Sequence, residues 1–366
     1  MKERHVIKII TIIGARPQFI KAATVSRVIK NFKDVFEIIV HTGQHYDDNM
    51  SAVFFEEMDI PKPHYNLEIG SGNHGKQTGD MLIEIEKVIL EEKPSLVMVY
   101  GDTNSTIAGA LAATKLHIPV VHIEAGLRSF NKKMPEEINR ILTDHVSDIL
   151  FTPTNTAVEN LEKEGISGDK VYKVGDVMYD AALFYTEKAK SNSKIIERLS
   201  LRDTDFVLAT VHRAENTDNK IRLSRIFNEL DELATKIKVV LPLHPRTKQK
   251  KEEFKIVTKN VTFIDPIGYI DMVMLQRACK MIITDSGGIQ KEAFFHKKPC
   301  ITLRSETEWI ELVQSECNFL WTEEFNLINL YDKLIGKKLN LSHDFYGDGD
   351  AASLIIDRIV KNYQQR

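Results

Sequence analysis

Two doubly wound, Rossmann-like α/β domains are predicted for this chain of 366 residues, and three observations predict them. Short apolar runs alternate with amphipathic stretches through most of the sequence, the rhythm of parallel strands and crossover helices. That rhythm pauses near 165–180 and restarts at 206, so two halves fit better than one large sheet. Residues able to do chemistry cluster at the carboxyl ends of the apolar runs, where open α/β sheets bind ligands. A chain of this length has room for roughly two domains of about 150 residues each. The expected division is 1–170, then 171–349, with a closing helix at 350–366 packing back on the first domain.

The elements follow in order. The start "MKERHVIKIITIIGARP" is basic and then apolar, but its apolar part is short and runs into Gly-Ala-Arg-Pro. It reads as a first strand (6–13), not as a signal peptide. The runs 36–42, 95–102, 119–125 and 148–154 read as further buried parallel strands, with helices over 18–31, 76–92, 104–116 and 136–147. "DKVYKVGDVMYD" (169–180) is a strand leading to a Gly-Asp turn. The second half restarts with "FVLATVHRAENTD" (206–218), followed by apolar runs at 238–245, 261–266, 281–288 and 299–304. "YGDGDAASLIIDRIVKNY" (346–363) supplies the closing helix.

Composition bounds the function. Hydrophobic residues make up 43% and charged residues 28%, a soluble globular profile. A net charge of −3 gives no reason to expect nucleic-acid or membrane-surface binding. No run approaches the roughly 20 apolar residues that span a bilayer. Cys279, Cys300 and Cys317 are odd in number and lack CxxC spacing, which suits reduced thiols in the cytoplasm and neither a disulfide frame nor a zinc site.

Several motifs can carry chemistry. "GARPQFIK" (14–21) follows the first strand; Pro17 suits a first helical turn, and Arg16 and Lys21 would add cations to an electropositive helix end. "DSGGIQKEAF" (285–294) follows a strand and opens a helix. Gly287 and Gly288 would let backbone N–H groups approach a diphosphate, Ser286 adds a hydroxyl, and Glu292 could accept the two hydroxyls of a ribose. The plainer reading is a glycine-assisted N-cap. Asp102 ends a strand in "YGDTNST" (100–106), where it is either a reacting carboxylate or the cap of the next helix. Glu124, Glu136 and Glu137 surround the next strand-to-helix turn. His212, Arg213, His244 and Arg246 stand at strand ends of the second half. Strand alternation would put His122 and Glu124 on one face. No third ligand at metal spacing accompanies them, so no metal is expected.

"GSGNHG" (70–75) matches a dinucleotide fingerprint only literally: it does not follow the first strand, and no acidic residue closes a next strand at the required distance, Asp102 lying too far on. There is no GxxxxGK[ST]. Two halves facing each other, one with carboxylates and one with a phosphate loop, would hold a nucleotide-linked molecule against acid–base groups.

In order along the chain, "GARPQFIK", "HTGQHYDDNMS", "YGDTNST", "HIEAGLRS", "MPEEINR", "VGDVMYD", "HRAENTD", "LPLHPRT", "DSGGIQKEA" and "YGDG" resemble the non-hydrolysing UDP-N-acetylglucosamine 2-epimerases. The resemblance implies a glycosyltransferase-B-like fold, a homodimer, and reversible inversion at C2 of a UDP-N-acetylhexosamine (UDP-GlcNAc to UDP-ManNAc) with no cofactor or metal. It implies that Arg16 and Lys21 are the active-site cations, that Asp102, Glu124 and Glu136 are the essential carboxylates, and that His212 is the essential histidine. Ser286, Gly287, Gly288 and Glu292 would then bind diphosphate and ribose, with His244 beside the nucleotide. "GARPQFIKAA" and "SETEWIEL" look closer to the branch acting on UDP-2,3-diacetamido-2,3-dideoxy-glucuronic acid, Trp309 standing where many members have arginine. "QHYDDNMS" departs from the glutamine-rich segment linked to allosteric UDP-GlcNAc binding. A hydrolysing 2-epimerase, a glycosyltransferase and an inactive UDP-sugar sensor are the alternatives. The GARP loop disfavours the first and the dense carboxylate set the second. Intact Asp102, Glu124, Glu136 and His212 disfavour the third.

Overall fold

The computed structural model describes residues 6–44, 62–322, 324–335 and 344–364. The chain forms two compact units, Met1–Ala181 with Asp344–Arg366, and Ala182–His343.

Among the described residues the first unit holds seven parallel strands: β1 (Ile7–Ile13), β2 (Val35–His41), β3 (Tyr65–Asn66), β4 (Leu96–Tyr100), β5 (Val120–Ile123), β6 (Ile149–Thr152) and β7 (Val171–Lys173). Their order is β3-β2-β1-β4-β5-β6-β7, so the winding reverses between β1 and β4. The central strands are buried on both faces, which is why they read as unbroken apolar runs. The helix Asn104–Lys115 lies almost wholly in the core, packed with Ile12, Val97 and Val99. Its small side chains allow that burial.

The second unit holds six parallel strands among its described residues: β8 (Phe206–Thr210), β9 (Lys238–Pro242), β10 (Thr262–Ile264), β11 (Met281–Thr284), β12 (Cys300–Thr302) and β13 (Asn318–Leu320). Their order is β10-β9-β8-β11-β12-β13, reversing between β8 and β11. In each unit the loops leaving the two strands at the reversal carry candidate residues, where a crevice forms at the carboxyl ends, and the loop after the neighbouring strand, β5 or β9, adds more.

The first unit does not stop at residue 170. β7 continues its sheet in register with β6, Val171 opposite Leu150, and the boundary falls at 181, inside the helix Val177–Asn192. The closing helix Ala351–Gln364 belongs to the first unit. Asp180 Oδ1 accepts the Ala352 N–H at 2.8 Å, and the Tyr363 hydroxyl donates to the Ser95 carbonyl. The returning chain passes so close to the outgoing one that a Cβ on Gly175 would lie 2.6 Å from the Tyr346 oxygen. Gly175 and Gly347 both take positive φ there, which a side chain would strain. Cys279, Cys300 and Cys317 are buried free thiols. Among the described residues no helix is long and apolar enough to cross a membrane, and no cluster of His, Cys, Asp or Glu could hold a metal ion.

Candidate active site

Each unit carries a constellation at its reversal point. In the first, β1 is followed by Gly14 and the chain turns into the helix Arg16–Ile29. Gln18 organises that turn. Its side-chain oxygen accepts the Gly14 and Ala15 N–H groups at 2.8 and 3.0 Å, and its amide nitrogen donates to Tyr100 O, Thr103 Oγ1 and Thr106 Oγ1. One buried carboxamide thus ties the first loop to the loop after β4. The Arg16 side chain lies outside what is described. Lys21 stands beyond the first turn of that helix, and its ammonium lies 2.6 Å from Glu124 Oε1, with both side chains nearly buried.

Glu124 reaches that position because the chain turns left-handed directly after β5, with φ +70. Strand alternation therefore ends at Ile123, and His122 and Glu124 do not share a face. His122 is fully buried, with Nδ1 2.7 Å from Asp144 Oδ1 and Nε2 2.8 Å from the Gly101 carbonyl. Asp144 also accepts from Arg128 and the Gly126 N–H, and Arg128 makes a two-pronged pair with Glu164. His122 is thus a brace for the residue preceding Asp102.

Asp102 is not the helix cap. Thr103 takes that place, accepting the Thr106 N–H, and Asp102 instead pairs with Arg140 at 2.7 Å. Partial burial raises the Asp102 pKa; Arg140 pulls it down, Glu124 pushes it up, and Lys21 pulls it down, leaving it above its ordinary value. Asp102, Lys21 and Glu124 are therefore electrostatically coupled. The adjacent Gly101 leaves space here: a Cβ on it would be 3.5 Å from both Glu124 Oε1 and Lys21 Nζ.

The two glutamates that open the helix Pro135–Val146 part company. Glu137 is buried and accepts from Ser129 N, Phe130 N and Arg140, which hold its pKa down against the effect of burial. It fixes the loop and orients Arg140. Glu136 is exposed in the first turn, with no partner among the described residues.

In the second unit the organiser is Asp285, fully buried at the end of β11. Its carboxylate accepts the His212 and Arg213 N–H groups and the Asn216 amide, and lies 3.2 Å from His212 Nδ1. The His212 ring stands 5.6 Å from that of His244, which caps the helix Pro245–Glu253. Partial desolvation and the neighbouring His212 lower the His244 pKa. Ser286 caps the helix Gly287–Phe295, receiving the Ile289 N–H. A Cβ on Gly287 would meet Glu308 Oε1 at 2.4 Å, whereas one on Gly288 would meet nothing within 4 Å. The exposed Gly288 edge is thus the open side of this turn. Glu292 is buried, accepting from the Tyr269 hydroxyl and the Gln276 amide. Trp309 is structural here: its indole N–H donates to the Gly287 carbonyl at 3.1 Å, and the Lys291 ammonium rests 4.0 Å over its ring.

Sequence reasoning missed Gln18, Arg140, Asp144 and Asp285. Arg140 and Asp144 share one helix face at i, i+4, a visible signal, but their partners come from distant loops. Of the segment tied to allostery only Gln44 is described, accepting from Ser105; residues 45–51 lie outside the described residues.

Two doubly wound units, each with loops at the carboxyl ends of parallel strands, define a glycosyltransferase-B-like fold. Solved structures bear this out. The Methanocaldococcus jannaschii UDP-GlcNAc 2-epimerase in complex with UDP-GlcNAc and UDP superposes with a TM-score of 0.88 at 44% identity, covering 97% of this chain and 99% of that one. The Neisseria meningitidis UDP-GlcNAc 2-epimerase bound to UDP-GlcNAc gives 0.86 at 32% identity, covering 97% and 100%. The UDP-N-acetylglucosamine 2-epimerase family model matches residues 27–360, and the chain belongs to that family. A Pseudomonas aeruginosa relative, UDP-2,3-diacetamido-2,3-dideoxy-D-glucuronate 2-epimerase, is 53% identical over 97% of this chain and its own full length.

Proposed function

We propose that this protein epimerises a UDP-linked 2-acetamido sugar reversibly at C2, by loss and return of UDP without hydrolysis. The observation that carries the reading is the coupled Asp102, Lys21 and Glu124 set, brought together from the segments that follow β4, β1 and β5, in a chain of this family.

The chemistry explains the need for such groups. C2–H of an acetamido sugar has no adjacent carbonyl, so direct abstraction is too slow. If the C1–O bond breaks first, its electron pair leaves with UDP, and cationic character at C1 acidifies C2–H. A carboxylate takes that proton, the C–H pair forms the C1=C2 bond, and a 2-acetamidoglucal results. UDP then adds back to C1 while C2 receives a proton on the opposite face. Groups for both faces are required, together with cations and amide dipoles for the departing diphosphate. In this reading Asp102, Glu124, Glu136 and His212 move the proton, and Lys21 holds Glu124. The raised pKa of Asp102 suits a group that both gives and takes a proton. Arg16, Ser286, Gly287 and Gly288 receive the diphosphate, Glu292 the ribose, and His244 flanks the nucleotide.

For the substrate we favour UDP-2,3-diacetamido-2,3-dideoxy-D-glucuronate, because the relative named for it is 53% identical over its full length, against 44% and 45% for two methanogen UDP-GlcNAc 2-epimerases, although a Methanococcus maripaludis UDP-N-acetylglucosamine 2-epimerase homolog is 55% identical over 86% of this chain. Conversion of UDP-GlcNAc to UDP-ManNAc is the second reading, favoured by the solved relatives with UDP-GlcNAc bound. Offering each sugar separately and following it by NMR separates them: the substrate gives its C2 epimer, and the other stays unchanged. Free ManNAc with UDP from UDP-GlcNAc would mark a hydrolysing enzyme, and binding without turnover a sensor. Homodimerisation enters from the family resemblance and a cytoplasmic location from the odd, unpaired cysteines, and light scattering tests the former.

A further inference from the structure

Beside the Lys21–Glu124 pair, within the first unit, lies a small recess whose wall is mostly apolar: Ile123, Phe151, Val174 and Val177, with Asp176 alongside. It has room for about one water-sized group. A buried water needs roughly two to four polar partners, and although Lys21, Glu124 and Asp176 line the recess, most of the surface it presents is hydrocarbon. A methyl group has the same size and no such need.

We infer that this recess receives the methyl of the sugar's 2-acetamido group, and so sets which N-acyl group the enzyme accepts; the inference rests on the epimerase reading above. The connection is geometric. Glu124 both lines the recess and belongs to the groups proposed to serve C2. Only the amide nitrogen and carbonyl carbon stand between C2 and the acetyl methyl, so a recess that shares Glu124 with the C2 chemistry is within the reach of the acetamido arm. The wall is drawn from rigid parts of the fold: Ile123 ends β5, Phe151 lies in β6, and Val177 opens the helix Val177–Asn192. Val174 and Val177 are themselves buried. The recess therefore has little freedom to widen, and close-packed walls resist one extra methylene.

The consequence is selectivity by acyl length. Acetyl fills the space, formyl leaves it empty, and propanoyl brings a methylene that does not fit. One misfitting methylene typically discriminates roughly 10- to 200-fold in kcat/KM. Cutting back the wall should move that preference. Val177→Ala shortens a side chain at a first helical turn, where alanine is well tolerated, and Val174→Ala opens the recess from the preceding loop.

The test compares the UDP-sugar that the wild type epimerises with its 2-N-propanoyl analogue, in wild type, Val177→Ala and Val174→Ala. Thermal unfolding and UDP binding confirm that each variant is folded. Wild type is expected to prefer acetyl by at least about tenfold, and at least one variant to shift the ratio toward propanoyl by a similar factor, a gain that simple destabilisation does not give. Equal use of both acyl groups by wild type, or a ratio unmoved in both folded variants, overturns the recess while leaving the epimerase reading intact. If wild type epimerises no UDP-acetamido sugar, the functional reading itself fails and this inference goes with it.

Discussion

Lys21 and Glu124 are 103 residues apart in the sequence and 2.6 Å apart, Nζ to Oε1, in the first unit. Helix Arg16–Ile29 delivers the lysine from behind β1, and the left-handed turn after β5 delivers the glutamate. Both side chains are close to nine-tenths buried, so neither charge is well served by water. Lys21→Met should cost about 3 kcal/mol in stability, because it strands a buried carboxylate. Lys21→Met with Glu124→Gln should recover much of that loss and none of the activity. Thermal unfolding and turnover of the four members of this cycle check both statements.

Asp102→Asn should give a folded protein that binds UDP as wild type does and loses C2 exchange by roughly a hundred- to ten-thousandfold. Its amide can still accept from Arg140, so the loop should hold. Isothermal titration with UDP beside an exchange assay separates the two effects. Exchange at the wild-type rate would remove Asp102 from the proton-transfer set.

Gly287 and Gly288 make opposite predictions. A methyl at Gly287 collides with the Glu308 carboxylate, so Gly287→Ala should lower the unfolding temperature as that side chain is forced away from its Arg304 partner. A methyl at Gly288 meets open space, so Gly288→Ala should unfold at the wild-type temperature yet weaken UDP binding if the diphosphate approaches that edge. Calorimetry and UDP titration of the pair decide it.

Asp180 gives a pH dependence. Burial pushes its pKa up from 3.8 to about 6, the Ala352 and Ala351 N–H groups pulling the other way. The folded state therefore holds this proton more tightly than the unfolded chain. Its contribution is fully present below the unfolded value and is lost as pH rises through about 6. Asp180→Asn keeps an acceptor for the Ala352 N–H and carries no charge. The unfolding temperature of the variant should fall less than that of wild type between pH 4 and pH 7, roughly the window between the two pKa values.

How much of this was written in the sequence differs by feature. The central strands were legible because parallel strands covered on both faces must be apolar throughout, and Leu96–Tyr100 or Met281–Thr284 could hardly be anything else. The two-residue β3 and three-residue β13 carry too little pattern to show. The boundary was placed early because β7 is short and only its pairing with β6 reveals its sheet. At the site, residue types at strand ends were readable, whereas partners were not. Alternation put Glu124 beside His122, but a single left-handed residue sent it to Lys21. Thr103 and Asp102 compete for the same cap by composition; the presence of Arg140 decides it, and Arg140 arrives from a helix 38 residues on. Gln18 and Asp285 went unremarked because a side chain that only holds backbone N–H groups has no spacing to betray it.

The central claim is that UDP leaves, C2 gives up its hydrogen to a protein group, and UDP returns. Incubation of the wild-type protein with UDP-2,3-diacetamido-2,3-dideoxy-D-glucuronate and, separately, UDP-GlcNAc in D2O, read by NMR, tests it directly. Deuterium should accumulate at C2 of one of them, in both epimers, while the nucleotide stays attached at equilibrium. Epimer formation with the original hydrogen retained at C2, or no change in either sugar by a protein that binds UDP, would contradict it.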